Sequence, residues 1–252
     1  MIRIIAPLAA LLASWPLWGH PARTKSAPII RHAVTTQKVL ALTFDDGPSL
    51  KWTPKILAVL NKAHVKATFF IIGSHATRRP QLVHEEVKDH MNIGSHGAEH
   101  LILRRESAAV IRQEVDNNAQ ILRSLGAPPP TLYRLPGGAS DAIALKVLGQ
   151  MGYTVVGWSI DTRDWRHRST AEELAAQVER EASPGAIVIF HDGPKGSQAT
   201  VAAVQMIISA LTKQGYRFVT VNQLLALEHQ ARTHVLFRHT FPGSPPTREH
   251  RL

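Results

Sequence analysis

Val39-Leu40-Ala41-Leu42-Thr43-Phe44-Asp45-Asp46-Gly47-Pro48 is an apolar run that ends in two adjacent carboxylates and a Gly-Pro turn. Residues 39–44 read as a β-strand, and Gly47-Pro48 breaks it and turns the chain. Alternation in a strand sends neighbouring side chains to opposite faces, but at a frayed strand end both carboxylates can converge on one pocket. Two carboxylates held close rarely do the same job: one can hold a metal while the other handles a proton. A plain surface turn would use the same four residues, so the surrounding pattern decides.

From Lys38 onward β-like runs alternate with helix-like runs. The expected strands are 39–44, 67–72, 92–95, 132–135, 154–160, 186–190 and 217–221. The expected helices are 53–64, 76–90, 107–125, 140–151, 170–182, 198–214 and 222–230, the first with Thr53 as N-cap and Pro54 at its first position. Such alternation predicts an α/β fold, a parallel sheet or barrel of about seven strands. In these folds working residues gather at the C-terminal ends of strands. Five strand ends here carry compact polar sets: Asp45-Asp46, Ser95 to His100, Arg134 to Gly138, Asp161 to Trp165, and His191-Asp192-Gly193. Independent surface turns give no reason for that coincidence.

The 252 residues, 44% hydrophobic and 19% charged, suit one sizeable globular domain or at most two. The absence of cysteine excludes disulfides and thiolate metal sites, so any metal must be held by His, Asp or Glu. The formal charge of +10 sits mostly at the ends. Residues 1–32 carry Arg3, Arg23, Lys25 and Arg31 with no acid, and residues 231–252 carry Arg232, Arg238, Arg248 and Arg251 against Glu249, leaving 21 basic and 18 acidic groups in the body. A nucleic-acid groove would mass its basic residues on the folded body, so no nucleic-acid partner is expected. Basic ends favour an anionic envelope or membrane surface.

Residues 1–22 open with Met1-Ile2-Arg3 and an apolar stretch from Ile4 to Trp18, which is a signal peptide pattern. The stretch is short for a spanning helix and is interrupted by Pro7 and Pro16; an uncleaved N-terminal anchor is the alternative. Residues 23–37 read as a linker, 38–230 as the catalytic domain, and 231–252, with three prolines in 242–246, as a disordered basic tail. The expected location is outside the cytoplasm, in the periplasm, cell envelope or medium.

His96 and His100 are four residues apart, a spacing that on a helical turn puts both rings on one face. His-x-x-x-His alone is a weak signal in a chain with 14 histidines. Adding Asp46 makes a His-His-Asp set, and three protein ligands with an open position form the catalytic arrangement for zinc. Zinc so held lowers the pKa of a bound water towards ~7 and polarises a carbonyl. Asp45 is then placed to accept a proton and His191, from a separate strand end, to donate one.

This ordered set resembles the polysaccharide deacetylases of the NodB homology family, carbohydrate esterase family four. The family's motifs T-F-D-D, H-[ST]-x-x-H, R-x-P, D-x-x-D-W and L-x-H are matched by Thr43–Asp46, His96–His100, Arg134–Pro136, Asp161–Trp165 and Ile189–His191. The resemblance implies a distorted (β/α) barrel of about seven parallel strands that removes N-acetyl groups from N-acetylglucosamine-containing polysaccharide and uses Zn²⁺ or another divalent transition metal. It implies Asp45 as general base, Asp46, His96 and His100 as metal ligands, Arg134 as the partner that keeps the base ionised, His191 as general acid and Asp164 as the residue that tunes it. Trp165 would wall the pocket, Ile189 would face the acetyl group, and the Gly137 N–H would help hold the oxyanion. Three positions depart from the pattern. Gly97 stands where Ser or Thr is usual and removes a loop-fixing hydroxyl, Gly137 replaces an aromatic, and Ile189 replaces Leu.

The resemblance makes the partner an N-acetylated polysaccharide; the protein is expected to be a monomer, and the apolar N-terminus offers membrane association. Competing readings are an O-acetyl ester hydrolase acting on a polymer such as xylan, a catalytically silent carbohydrate-binding homologue, and a basic binder of nucleic acid or membrane surfaces working through its tails.

Overall fold

The computed structural model describes residues 26–166 and 168–240. The expected signal peptide or anchor at 1–22 and the end of the tail at 241–252 lie outside the described residues. Nine strands form one sheet: β1 (Ile29–Ile30), β2 (Val39–Gly47), β3 (Thr68–Ile71), β4 (Asn92–Ser95), β5 (Leu132–Tyr133), β6 (Thr154–Val156), β7 (Ile160–Asp161), β8 (Ile187–His191) and β9 (Arg217–Phe218). Their order is β1-β6-β5-β4-β3-β2-β8-β7, with β9 pairing the start of β2, and all the ladders are parallel. β6 and β7 come from the single run read as one strand over 154–160. One belongs near one end of the order and the other lies at the opposite end, yet four residue steps, at most ~14 Å of chain, separate Val156 from Ile160. The sheet therefore curls round on itself as an incomplete barrel, as the sequence predicts.

β2 is a central strand of this barrel, paired with β3 on one edge and β8 on the other. All nine of its residues are buried, and their alternation divides them between two cores. Leu40, Leu42 and Phe44 pack outward among Ile56, Leu60, Val204 and Ile207 of the surrounding helices. Val39 and Ala41 face the other way, into a cluster with Phe70, Val156 and Ile187. Phe44 pairs in register with Phe69 of β3 and Phe190 of β8, and the three rings stack with centroids 5.0 and 6.0 Å apart. Parallel strands buried on both faces need such apolar rows. The next residue along, Asp45, belongs to the inward-facing set and lies level with His191 of β8.

The helices are α1 (Thr53–Lys62), α2 (Gly73–Arg78), α3 (Pro80–Lys88), α4 (Ala108–Ser124), α5 (Ala142–Gln150), α6 (Ala171–Glu181), α7 (Gln198–Lys213) and α8 (Val221–Thr240). Ser107, Asp141, Thr170 and Ser197 cap α4 to α7 through their side chains, Thr170 with a full capping box to Glu173.

Four expectations need correcting. The helix read over 76–90 is two helices: Pro80 lacks an N–H and forces Arg79 out of the helical region, to φ −142 and ψ 54. Trp52, not Thr53, is the N-cap of α1; the Thr53 hydroxyl instead accepts from Ser49 N and donates to Asp192. The stretch read as linker contributes β1, which pairs with β6, and His32 bridges Ala186. α8 continues past residue 230 to Thr240. Among the described residues no helix is long and apolar enough to cross a membrane.

Candidate active site

A cavity of about 260 Å³ opens at the C-terminal ends of the central strands. Asp45, Asp46, His96, His100, Gly137, Trp165, Ile189 and His191 all line it, so eight of the ten residues singled out from sequence meet there. The other two, Arg134 and Asp164, are buried behind it and reach it through Asp45 and His191.

Strand alternation alone would point Asp46 away from Asp45. The β2–β3 register shifts between Asp45 and Gly47, and Asp46 adopts φ +69. A bulge of this kind re-aims a side chain, and Asp tolerates the left-handed region better than most residues. His96 and His100 meet without the expected helical turn. Residues 96–100 form an irregular bend in which Gly97 has φ +84 and His100 φ +59, and the two rings lie edge to face with centroids 5.0 Å apart.

Asp46 Oδ1 lies 3.4 Å from His96 Nε2 and 3.3 Å from His100 Nε2. One ligand atom from each of the three residues falls within 4.8 Å of the others. His96 Nδ1 contacts the Arg134 carbonyl at 2.8 Å. A carbonyl can only accept, so Nδ1 carries a proton and Nε2 is the nitrogen that faces Asp46 and would serve a metal. Burial would raise the pKa of Asp46, but contacts to His100 and His96 overcome it and hold the carboxyl well below the usual range. An ionised carboxylate and an imidazole lone pair fit a divalent transition metal of the zinc type.

Asp45 is held differently. Arg134, fully buried, donates from Nη1 to Asp45 Oδ1 at 2.8 Å and to Thr43 Oγ1 at 2.7 Å, and from Nη2 to the Gly157 carbonyl at 2.9 Å. Its guanidinium also lies 4.1 Å from the Phe70 ring centre. Burial lowers the pKa of Arg134, while the Asp45 charge opposes that shift. Asp45 Oδ2 takes no part in the Arg134 bond and stands 3.8 Å from His96 Nε2.

His191 donates from Nδ1 to Asp164 Oδ1 at 2.8 Å; Asp164 Oδ2 accepts from the His191 N–H at 3.0 Å and from Thr200 Oγ1 at 2.9 Å. Burial pushes the His191 pKa down, but Asp164, and more weakly Asp45 and Asp46, raise it above its ordinary 6.5. Gly137 sits in a short 3₁₀ turn at 136–138. The Gly138 and Ala139 amides bond the Leu135 and Pro136 carbonyls, whereas no hydrogen bond among the described residues takes the Gly137 N–H.

Leu135, Gly138, Trp158, Asp161 and Lys195 also line the cavity and were not singled out from sequence. Leu135 and Asp161 lay inside quoted motifs. Trp158 looked like one more apolar residue in a strand, and Lys195, in a loop without periodicity, carried no signal. Lys195 Nζ stands 4.0 Å from Asp46 Oδ2.

The family model described as polysaccharide deacetylase matches residues 32–156. A peptidoglycan-N-acetylglucosamine deacetylase of Bacillus cereus is 37% identical over 195 residues, covering 77% of this chain and 91% of that protein. The chain belongs to the polysaccharide deacetylase family. A chitooligosaccharide deacetylase of a Bradyrhizobium species is 33% identical to this deacetylase over 205 residues, 76% of the chain and 92% of the relative. The peptidoglycan-N-acetylglucosamine deacetylase of Listeria monocytogenes is 36% identical over 75% of the chain, which spans only 39% of that longer protein. Among solved structures, a peptidoglycan N-acetylglucosamine deacetylase superposes with a TM-score of 0.75 at 32% identity, over 78% of this chain and 92% of that one. A family-four pseudoenzyme from Bacillus anthracis superposes with a TM-score of 0.74 at 25% identity, over 80% of this chain and 70% of that one. The barrel is thus shared by active and inactive proteins, and the site residues must carry the argument about activity.

Proposed function

We propose that this deacetylase is an exported, monomeric, metal-dependent hydrolase that removes N-acetyl groups from N-acetylglucosamine units of a cell-envelope polysaccharide, with peptidoglycan as its first substrate class. One observation carries the reading: Asp45 and His191, each fixed by its own buried counter-ion, share a cavity with a ready-made Asp-His-His metal triad.

Asp46, His96 and His100 would hold the metal, which supplies a Lewis acid and a more acidic water. Asp45 Oδ2 accepts a proton from water as its oxygen attacks the acetamide carbon. Arg134 keeps Asp45 aimed and charged while Oδ1 is occupied. The free Gly137 N–H donates to the oxyanion, a contact worth ~10²–10³ in rate. His191 gives its Nε2 proton to the departing sugar nitrogen, the C–N bond breaks, and acetate and the free amine result. Asp164 keeps His191 in the tautomer and charge state this requires. Trp158 and Trp165 offer apolar faces to a sugar ring and Ile189 to the acetyl methyl.

Peptidoglycan is favoured by the relatives of highest identity above and by cationic groups at the cavity. Lys195 lines it, and the Arg166 guanidinium lies 5.2 Å from the ring centre of Trp165. The test is acetate release by the purified protein from peptidoglycan, N-acetylglucosamine oligomers and acetylxylan, stripped of metal and then with Zn²⁺ restored. Metal-restored release from the N-acetylated polymers supports the proposal. Release from acetylxylan alone replaces it with an ester hydrolase, and zinc binding without release from any substrate replaces it with a silent homologue.

A further inference from the structure

α4 buries a stripe of Ile111, Glu114, Val115, Asn118 and Leu122. Two polar residues one turn apart in an apolar stripe need an explanation, because each costs free energy unless its atoms are paired. Asn118 Nδ2 donates to the Ile71 carbonyl at 3.0 Å and to Ser95 Oγ at 2.8 Å, at the ends of β3 and β4. Glu114 reaches further. Its Oε1 accepts from Glu99 N at 2.8 Å and from Leu101 N at 3.3 Å, the two amides that flank His100. Among the described residues no cation pairs with Glu114. It lies outside the metal triad.

The loop it grips is under strain. His100 has φ +59, a conformation that costs a non-glycine residue of order 1–3 kcal/mol and persists only when its surroundings hold it. Room for the grip comes from Gly97: with φ +84, a Cβ there would lie 2.6 Å from Glu114 Oε1. A side chain at 97 would displace the Glu114 carboxylate from this position.

The geometry points to Glu114 as a positioning residue for the metal ligand His100: by accepting both flanking amides it holds His100 in its strained conformation, with Nε2 aimed at Asp46. This deepens the metal-dependent reading and rests on it.

The test is the Zn²⁺ dissociation constant of the full chain, measured by chelator competition, for the wild type, Glu114→Gln, Glu114→Asp, Glu114→Ala and His100→Ala. Outer contacts of this kind are worth ~10–100-fold in metal affinity. Glu114→Ala should weaken binding by that factor. Glu114→Gln keeps an oxygen at full reach and should stay within about threefold of the wild type. Glu114→Asp keeps the charge but withdraws it by one methylene, so it should fall with Ala. The ranking of Gln above Asp survives even if Ala does not fold. Thermal midpoints of the metal-free variants show whether the chain is intact at the temperature of measurement. Asp matching the wild type while Gln falls would mean that charge matters and position does not, which overturns the proposal. Glu114→Ala within twofold of the wild type, with His100→Ala abolishing binding, also overturns it. An unchanged affinity in His100→Ala would sink the metal reading itself.

Discussion

Replacing Asp164 with Asn removes the charge behind His191 while nearly preserving its shape. The carboxylate is buried and lies 2.8 Å from His191 Nδ1. It is the main influence raising the His191 pKa against the pull of burial. An opposite charge this close shifts a titration by about 1–3 units. Because Asp45 and Asp46 also favour the imidazolium, the loss should fall in the lower half of that range, about 1–2 units. The direction follows from the sign: His191 loses support for its charged form, burial acts with less opposition, and its pKa falls. In the proposed reaction His191 must be protonated to release the amine, and so sets the alkaline limb of kcat/KM. That limb should move to lower pH by the same amount, giving a ~10–100-fold loss above it and a much smaller one below both limbs. A Thr200→Val control, which removes one hydrogen bond to Asp164 Oδ2 and no charge, should leave the limb within a few tenths of a unit. The assay is acetate release across pH 5–10 with NMR titration of the His191 ring. A limb that stays in place while kcat falls uniformly would refute the general-acid assignment and leave Asp164 as scaffolding.

Arg134→Met leaves Asp45 buried without its counter-ion, and breaking such a pair should destabilise the fold by about 3–5 kcal/mol, read from denaturant midpoints with the metal removed. Glu86 is fully buried with neither carboxylate oxygen partnered, and Asp192 Oδ1 is likewise unpartnered. Burial, then the charge of Asp192, raises the Glu86 pKa well above 4.5. A carboxyl raised on folding contributes stability that is full below its unfolded value and is lost as pH climbs through the folded one, so Glu86→Gln should flatten that decline and gain about 2–4 °C in Tm at alkaline pH for each kcal/mol retained. Lys195→Glu should raise KM for peptidoglycan by about 2–10-fold, the range for reversing one exposed charge, and leave KM for neutral N-acetylglucosamine oligomers near its original value. Equal effects on both substrates would remove Lys195 from substrate selection.

The fold was legible where apolar periodicity governs it. Residues 39–44 and 186–190 announce central strands because parallel strands buried on both faces read as near-continuous apolar runs, and the caps Ser107, Thr170 and Ser197 stand at the starts of amphipathic runs. It was not legible where long-range pairing governs. Ile29 and Ile30 are too short a run to predict a strand, and only β6 gives them a partner. Thr53 had the residue type of an N-cap, but a buried carboxylate contributed 139 positions later competes for its hydroxyl.

The same division runs through the site. The residues that do the proposed chemistry were visible because chemistry restricts residue type. Arg134 and Asp164, which aim Asp45 and His191, came only with the family resemblance, and Glu114 and the bulge at Asp46 were not visible at all, because aiming depends on backbone geometry that spacing does not encode. His96 and His100 were read as neighbours on a helical turn; they are neighbours on a bend that Gly97 permits and Glu114 grips. Asp45 and Asp46 were read as converging through a frayed strand end; they converge because a bulge turns Asp46 to φ +69 while Arg134 fixes Asp45 from the far side of the barrel. Adjacent in sequence, the two carboxylates answer to opposite partners, a pair of imidazoles for one and a guanidinium for the other. That difference would let one be committed to the proposed ligand role while an oxygen of the other stays free to take a proton. A pseudoenzyme with the same barrel shows that the fold alone does not secure activity, so the proposed chemistry stands or falls with these two carboxylates and their separate partners.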